Sequence, residues 1–156
     1  MIIRLRDVAK NDLPIFFNQQ LDPEANYMAA FTTKNPGDKN VFDAHWIKIL
    51  ANETGTVKTI VLGEQVVGYI SSFIMFDERE VSYWLGKEYW SKGIATQALT
   101  EFLGHVITRP LYARAVKDNA ASIRVLEKCG FKVSGYNKDF AEGRGKEVEE
   151  VIMIME

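Results

Sequence analysis

The stretch from Glu80 to Val116 constrains the fold more than any other part of this chain. Glu80 to Leu85 reads as a strand, Gly93 to Ile107 as a helix and Leu111 to Val116 as a second short strand. Within the helix, Ile94/Ala95, Ala98/Leu99, Phe102/Leu103 and Val106 recur at i, i+4 spacing and make one apolar face. A strand, a crossover helix and another strand demand a parallel pair in one sheet.

The flanking segments extend that sheet. Ile3 and Leu5 alternate with Arg4 and Arg6, as in a half-buried strand. Asn11 is placed to cap a helix running to Leu21, with Pro14 tolerated in its first turn. Glu24 to Phe31 reads as a second short helix, and Thr32 to Lys39, with Pro36 and Gly37, as a loop. Phe42, Trp46, Ile49 and Leu50 share one face of a third helix. Val57 to Leu62 and Val66 to Met75 flank Gly63-Glu64-Gln65 as a hairpin. A helix from about Asn119 to Cys129 stops at Gly130, and Phe131 to Tyr136 and Val148 to Met155 form two last strands around Gly143-Arg144-Gly145. The expectation is one α/β (α+β mixed) domain over residues 1–156. Its sheet would be mixed but mostly antiparallel, with six to seven strands and helices on both faces.

Charge and composition remove several function classes. The net charge of −2 offers no basic face for nucleic acid. Glu147, Glu149 and Glu150 read as a solvated strand face. The single cysteine, Cys129, excludes an intrachain disulfide and reads as a small buried hydrophobe, not a nucleophile. No run approaches 18 apolar residues, so no membrane helix is expected. The alternating Met1-Ile2-Ile3-Arg4-Leu5-Arg6 lacks the features of a secretion signal, and a cytoplasmic location is expected. His45 and His105 are scattered and read as structural; no cluster has metal-ligand spacing, so no metal is expected.

The chemistry is concentrated in Tyr89-Trp90-Ser91-Lys92-Gly93-Ile94-Ala95-Thr96, between a strand and a helix. A glycine there permits a tight turn that exposes consecutive N–H groups. The first helical amides have no partners of their own, and the helix dipole puts partial positive charge at that end. Together these suit a diphosphate. Lys92 and Thr96 would add donors. Taken alone, the loop is a weak signal and reads first as an ordinary strand-to-helix connection. It lacks the Walker A frame and the three spaced glycines of the dinucleotide fingerprint. A second element, Asn119 to Phe131, follows the next strand, and Asn119 is a good N-cap in its own right.

Taken together, the two segments resemble the GNAT superfamily of acyl-CoA N-acyltransferases. Glu80-Val81-Ser82-Tyr83-Trp84-Leu85 followed by Tyr89 to Leu99 is similar to its acyl-CoA-binding motif. Asn119-x-x-Ser122 running to Glu127-Lys128-x-Gly130-Phe131 is similar to its second motif. The Tyr-Trp-x-Lys-Gly-x-Ala-Thr form is most similar to the RimJ/RimL-like branch. The resemblance implies acetyl-CoA as acyl donor and direct attack by an amine, without a covalent enzyme intermediate. It implies that main-chain groups of Tyr83, Trp84 and Leu85 pair with the pantetheine arm. Amides of Trp90, Ser91, Lys92, Gly93, Ile94, Ala95 and Thr96 would cradle the diphosphate, and Asn119 would bind near the pantetheine end.

Such a reaction needs a proton acceptor for the amine, a donor to the oxyanion worth about 3 kcal/mol, and a donor to the departing thiolate. Glu80 is the candidate base, with a plain surface-strand role as the alternative. Ser122 is the candidate donor to the thiolate or to the cofactor, with helix capping as the alternative. Two positions depart from the superfamily pattern. Leu126 stands where many members carry a general-acid tyrosine, so Ser122, a water or another tyrosine such as Tyr136 would have to act. Trp90 replaces a common Gln or Arg. On the acceptor side, Asp22, Glu24, Tyr27, Met28 and Phe31 form a mixed acidic and aromatic group suited to a cationic amine, or simply to packing. Three functions follow for test: an N-acetyltransferase of a protein N-terminus or small primary amine, a silent acyl-CoA-binding module, and a binder of another diphosphate. A homodimer through an edge strand is compatible with each.

Overall fold

The computed structural model describes residues 2–156; Met1, which the N-terminal alternation includes, lies outside them. The elements are β1 (Ile3–Asp7), α1 (Leu13–Gln20), α2 (Pro23–Ala29), α3 (Lys39–Ala51), β2 (Thr56–Leu62), β3 (Gln65–Met75), β4 (Glu78–Leu85), α4 (Ile94–Phe102), β5 (Leu111–Val116), α5 (Ala120–Lys128), β6 (Lys132–Ala141) and β7 (Lys146–Met155). Among the described residues the strands form one sheet in the order β1-β2-β3-β4-β5-β7-β6. β4 and β5 run parallel with α4 between them, and their ladder consists of one register pair, Glu80 opposite Tyr112. The other five pairings are antiparallel. Past Glu80, therefore, the β5-facing main chain of Val81 to Leu85 is not committed to a ladder.

Helices cover both faces. α4 places Ile94, Ala98, Leu99 and Phe102 against Val81, Leu85, Leu111, Ala113 and Met153, and α5 adds Leu126. Burying each large side chain contributes about 1.5–3 kcal/mol, so the i, i+4 stripe holds α4 against the sheet. On the opposite face α1 and α3 bring Phe16, Phe42 and Trp46 onto Tyr69, with ring centroids of Phe16–Trp46 at 5.2 Å and Trp46–Tyr69 at 4.9 Å. Such aromatic pairs add about 0.5–1.5 kcal/mol beyond area burial.

The element order is as expected, and the boundaries differ for physical reasons. Asp12, not Asn11, organises the entry to α1. Its carboxylate accepts from the Ala9 amide at 2.8 Å, from Thr59 Oγ1 at 2.8 Å and from both terminal nitrogens of Arg6. α2 begins at Pro23 because Asp22 caps it, accepting from the Glu24 amide at 2.8 Å. α4 stops at Phe102, short of Ile107. The amides of Gly104 and His105 turn back to Glu101 and Phe102, while Val106 still packs into the core, so the apolar period outlasts the helix. β6 and β7 extend further than their apolar residues suggested, because β6 is a sheet edge exposed along nearly its whole length and shows no alternation. Leu50 is exposed and Cys129 only half-buried, unlike their expected placements.

Candidate active site

A short 3-10 turn, Lys87–Tyr89, leads from β4 to the loop before α4. Ser91 and Gly93 both have positive φ, 61° and 78°. That conformation is easily adopted by glycine, which has no Cβ to clash. It turns the chain so that successive N–H groups face outward. The Trp90 amide is not among them, because it donates to Lys87 O at 3.1 Å. The first bond of the helix runs from the Gln97 amide to Gly93 O at 3.2 Å. Among the described residues, the amides of Ser91, Lys92, Gly93, Ile94, Ala95 and Thr96 have no acceptor. Six free donors at the positive end of a helix dipole make a cradle with the chemistry to hold an anion. Ser91, Lys92 and Gly93 are exposed, so an anion can reach it. Trp90 anchors the loop: its indole Nε1 donates to Leu85 O at 3.1 Å and its ring packs on the core. Tryptophan at this position thus secures the cradle to the end of β4.

Tyr83, Trp84 and Leu85 follow the single register pair of β4 and β5. Tyr83 projects towards α4 and α5, and its hydroxyl lies 3.0 Å from Ser122 Oγ in the first turn of α5. Burial pushes the Tyr83 phenol above its ordinary pKa, with the Ser122 hydrogen bond opposing and Cys129 adding a little. Trp84 turns the other way, and its Nε1 is buried without a partner. Leu85 is buried, with its carbonyl held by Trp90. Asn119 is a cap, accepting from the Ser122 amide at 3.2 Å, and it also donates from Nδ2 to Met28 O at 3.3 Å. It ties α5 to α2 and has one amide hydrogen left to offer. Leu126 is 3% exposed and packs in the core, so that position contributes no polar group.

Glu80 is not a surface residue. It is 8% exposed, and Oε2 accepts from Arg114 Nε at 3.2 Å. Arg114, on β5, also donates from Nη1 to Glu150 Oε1 at 2.8 Å, an oxygen shared with Asn137 Nδ2 at 3.1 Å. The ring of Phe76 covers the guanidinium at 4.9 Å. Burial raises the Glu80 pKa, against the pull of Arg114 and with smaller pushes from Glu78 and Glu150. Glu80 Oε1 has no hydrogen-bond partner among the described residues. The expected solvated face of Glu147, Glu149 and Glu150 therefore needs correction, since Glu150 is 7% exposed. β7 is paired on both sides, so one side-chain row must point inward, and adjacent strand residues face opposite ways. The neighbouring Glu149-Glu150 pair was the available signal, because both could not face solvent.

The acceptor-side group is largely committed to structure. Asp22 caps α2, Glu24 forms an ion pair with Lys87, and Met28 O takes the Asn119 donor. Tyr27 lies 3.9 Å beneath the Arg144 guanidinium. Arg144, in the β6–β7 turn, donates to Tyr27 O at 2.6 Å and to both oxygens of Asp118 at 2.8 Å. The Gly143 amide donates to Ala30 O at 2.8 Å, and a Cβ on Gly143 would stand 2.2 Å from Asn26 O. That turn is thus docked on α2 as one wall. Phe31 stays exposed at its edge. His45 sits on α3 beside Trp46, its pKa lowered by burial and by Lys48, and His105 is exposed beyond α4. Tyr136 is exposed on β6 with Lys117 Nζ 5.9 Å from its ring, and the hydroxyl beside Ser122 belongs to Tyr83.

A mixed sheet with one minimal parallel pair, an amide cradle at the start of the crossover helix and a capped second helix beyond it defines the N-acetyltransferase fold. The sequence matches the Acetyltransferase (GNAT) domain over residues 3–132, and the chain belongs to that family. It is 26% identical over 94 residues to an uncharacterized N-acetyltransferase p20 of Bacillus licheniformis, covering 55% of this chain. The match spans about half the length of that curated relative, 52%. Among solved structures, a GNAT superfamily phosphinothricin acetyltransferase of Sinorhizobium meliloti in complex with AcCoA superposes with a TM-score of 0.83 at 20% identity, covering 99% of this chain and 88% of that one. The ribosomal-protein-alanine N-acetyltransferase of Brucella melitensis gives 0.81 at 21% identity, covering 99% of each chain. These likenesses establish the fold across β6 and β7 as well, beyond the family match.

Proposed function

We propose that the protein is an acetyl-CoA-dependent N-acetyltransferase of the RimJ/RimL-like branch, acting on a protein N-terminus or a small primary amine by direct attack in a ternary complex. The observation that carries this reading is the cradle of six unpartnered amides, Ser91 to Thr96, beside the uncommitted edge of β4. A diphosphate fits those donors, and the orphaned Trp84 Nε1 on the other face is a buried donor without a protein acceptor. Bound acetyl-CoA would supply the activated acyl group. Main-chain groups of Tyr83 to Leu85 would hold its arm as an added strand, and Asn119 would offer its remaining N–H.

Glu80 is suited to take the proton from the attacking amine. Its carboxylate is oriented by Arg114, retains one unengaged oxygen and has a pKa raised by burial, the direction that favours a general base. Ser122, in the first turn of α5, would donate towards the leaving sulfur. Among the described residues no helix is long and apolar enough to cross a membrane. We assign a cytoplasmic location with acetyl-CoA and an amine as the partners, and neither nucleic acid nor membrane. The free edge of β6 supports a homodimer.

A panel assay tests the reading. Thiol release from acetyl-CoA is followed with spermidine, an alanine-initiated peptide and phosphinothricin as acceptors. Release above the amine-free rate with at least one acceptor is expected. Tight acetyl-CoA binding with no release for any amine would instead favour a non-catalytic acyl-CoA-binding module, the alternative that Leu126 in place of a tyrosine supports.

A further inference from the structure

The Tyr83 and Ser122 hydroxyls come from residues 39 positions apart and meet at 3.0 Å. Tyr83 stands three residues past the one point where β4 and β5 are in register, and Ser122 is in the first turn of the helix that follows β5. A group running from the cradle along the uncommitted edge of β4 would pass the main chain of Tyr83, beside this hydroxyl pair. Two hydroxyls bonded to each other own two O–H groups and use one of them. Whichever is the donor, one O–H is left over. Neither Tyr83 Oη nor Ser122 Oγ has another partner among the described residues.

Resting on the acyltransferase reading, we propose that Tyr83 completes the leaving-group site: the Tyr83–Ser122 pair gives its spare O–H to the coenzyme A sulfur. The phenol comes from the strand, where the Leu126 position on the helix supplies none. The amine nitrogen forms the new C–N bond, the C–S bond breaks, and its electron pair goes to sulfur. The pair stabilises that thiolate by hydrogen bonding. The proton shed by the amine leaves through Glu80 to solvent, and the thiolate takes up a solvent proton on release. A phenol is protonated at neutral pH, and burial moves the Tyr83 pKa further up, so it hydrogen-bonds to the thiolate without giving up its proton. Cys129, near the phenol, and Thr100, which meets the Cys129 sulfur at 3.6 Å, are the polar neighbours on the adjoining helices.

The test reads the thiol pKa of bound coenzyme A from its thiolate absorbance, which requires no acceptor amine. In the parent protein the thiol pKa is expected below that of free coenzyme A. In a Tyr83→Phe/Ser122→Ala double variant, which removes both O–H groups, it rises by about one unit, a tenfold change in the ionisation constant, while acetyl-CoA Kd changes by less than about two-fold. With the best acceptor of the panel, kcat falls roughly ten- to a hundredfold, the range for a lost hydrogen bond to a charged group. Tyr83→Phe and Ser122→Ala alone each leave one O–H and should show a smaller rise; neither touches the helix cap, which uses only the Ser122 main-chain amide. An unchanged thiol pKa in a double variant that binds coenzyme A normally overturns the inference alone. A parent protein that binds no coenzyme A overturns the acyltransferase reading with it.

Discussion

Replacing Arg114 by methionine leaves Glu80 without its cation in a buried site. The Glu80 and Glu150 side chains are each only 9% exposed, and that of Arg114 20%, so solvent screens the cluster little. Removing one partner of a buried pair typically costs about 3–5 kcal/mol. Glu80 has one escape, which is to bind a proton. For a glutamate of ordinary pKa, about 4.3, neutralisation costs about 1.36 kcal/mol per pH unit, so about 3.7 kcal/mol at pH 7 and about 1 kcal/mol at pH 5. The folded variant holds that proton more tightly than its unfolded chain. Its stability therefore falls as pH rises above the ordinary glutamate range. Urea denaturation of parent and Arg114→Met is expected to show a deficit of about 3–4 kcal/mol at pH 7, shrinking to about 1–2 kcal/mol at pH 5. Glu150 loses the same cation but keeps the Asn137 donor, and carboxylates outside the cluster titrate in both proteins and cancel. A deficit under about 1 kcal/mol at pH 7, or one equal at both pH values, would refute the buried-charge argument.

Three further outcomes follow from the same contacts. Glu80→Gln should lower kcat by about 10²–10⁴-fold with acetyl-CoA affinity retained. It should also abolish the acidic limb of the parent's kcat–pH profile, which burial of Glu80 places above the ordinary glutamate range; steady-state kinetics across pH checks both. Asp12→Asn should cost about 1.5–3 kcal/mol in chemical denaturation, because the buried carboxylate accepts from Arg6, Ala9 and Thr59. Although burial opposes ionisation, those donors hold the parent Asp12 pKa below the usual range, so its contribution is present above the unfolded pKa and lost as pH falls through the lowered one. Gly143→Ala must push the β6–β7 turn off the Asn26 and Ala30 carbonyls, at about 1–3 kcal/mol. Calorimetric binding and kinetics should then show a raised amine KM with unchanged acetyl-CoA affinity.

The crossover unit was legible because its signals are local. A 3.6-residue apolar period in α4, a glycine before it and a strand on each side require the parallel pair whatever the rest of the chain does. The Asn119 cap and the turn at Gly93 were legible for the same reason, since each is a main-chain demand met by a nearby side chain. Glu150, Arg144 and Tyr83 were not, because their partners lie far off in sequence. Arg144 reaches Tyr27 across 117 positions, and Arg114 joins carboxylates 34 and 36 positions away. Periodicity assigns a charged residue to solvent unless a distant counter-charge is known, which is why Glu150 was placed outside. β6 was drawn short because an edge strand exposed on both faces has no reason to alternate.

The most direct test of the central claim is calorimetric titration of the protein with acetyl-CoA beside a Gly93→Trp variant. Gly93 holds a φ of 78° at the entrance to α4, where a side chain is both strained and in the path of a diphosphate. Micromolar binding by the parent that disappears in a folded Gly93→Trp variant is the expected result. No binding by the folded parent, or equal binding by both proteins, would contradict the assignment of the Ser91–Thr96 amides as the coenzyme A site.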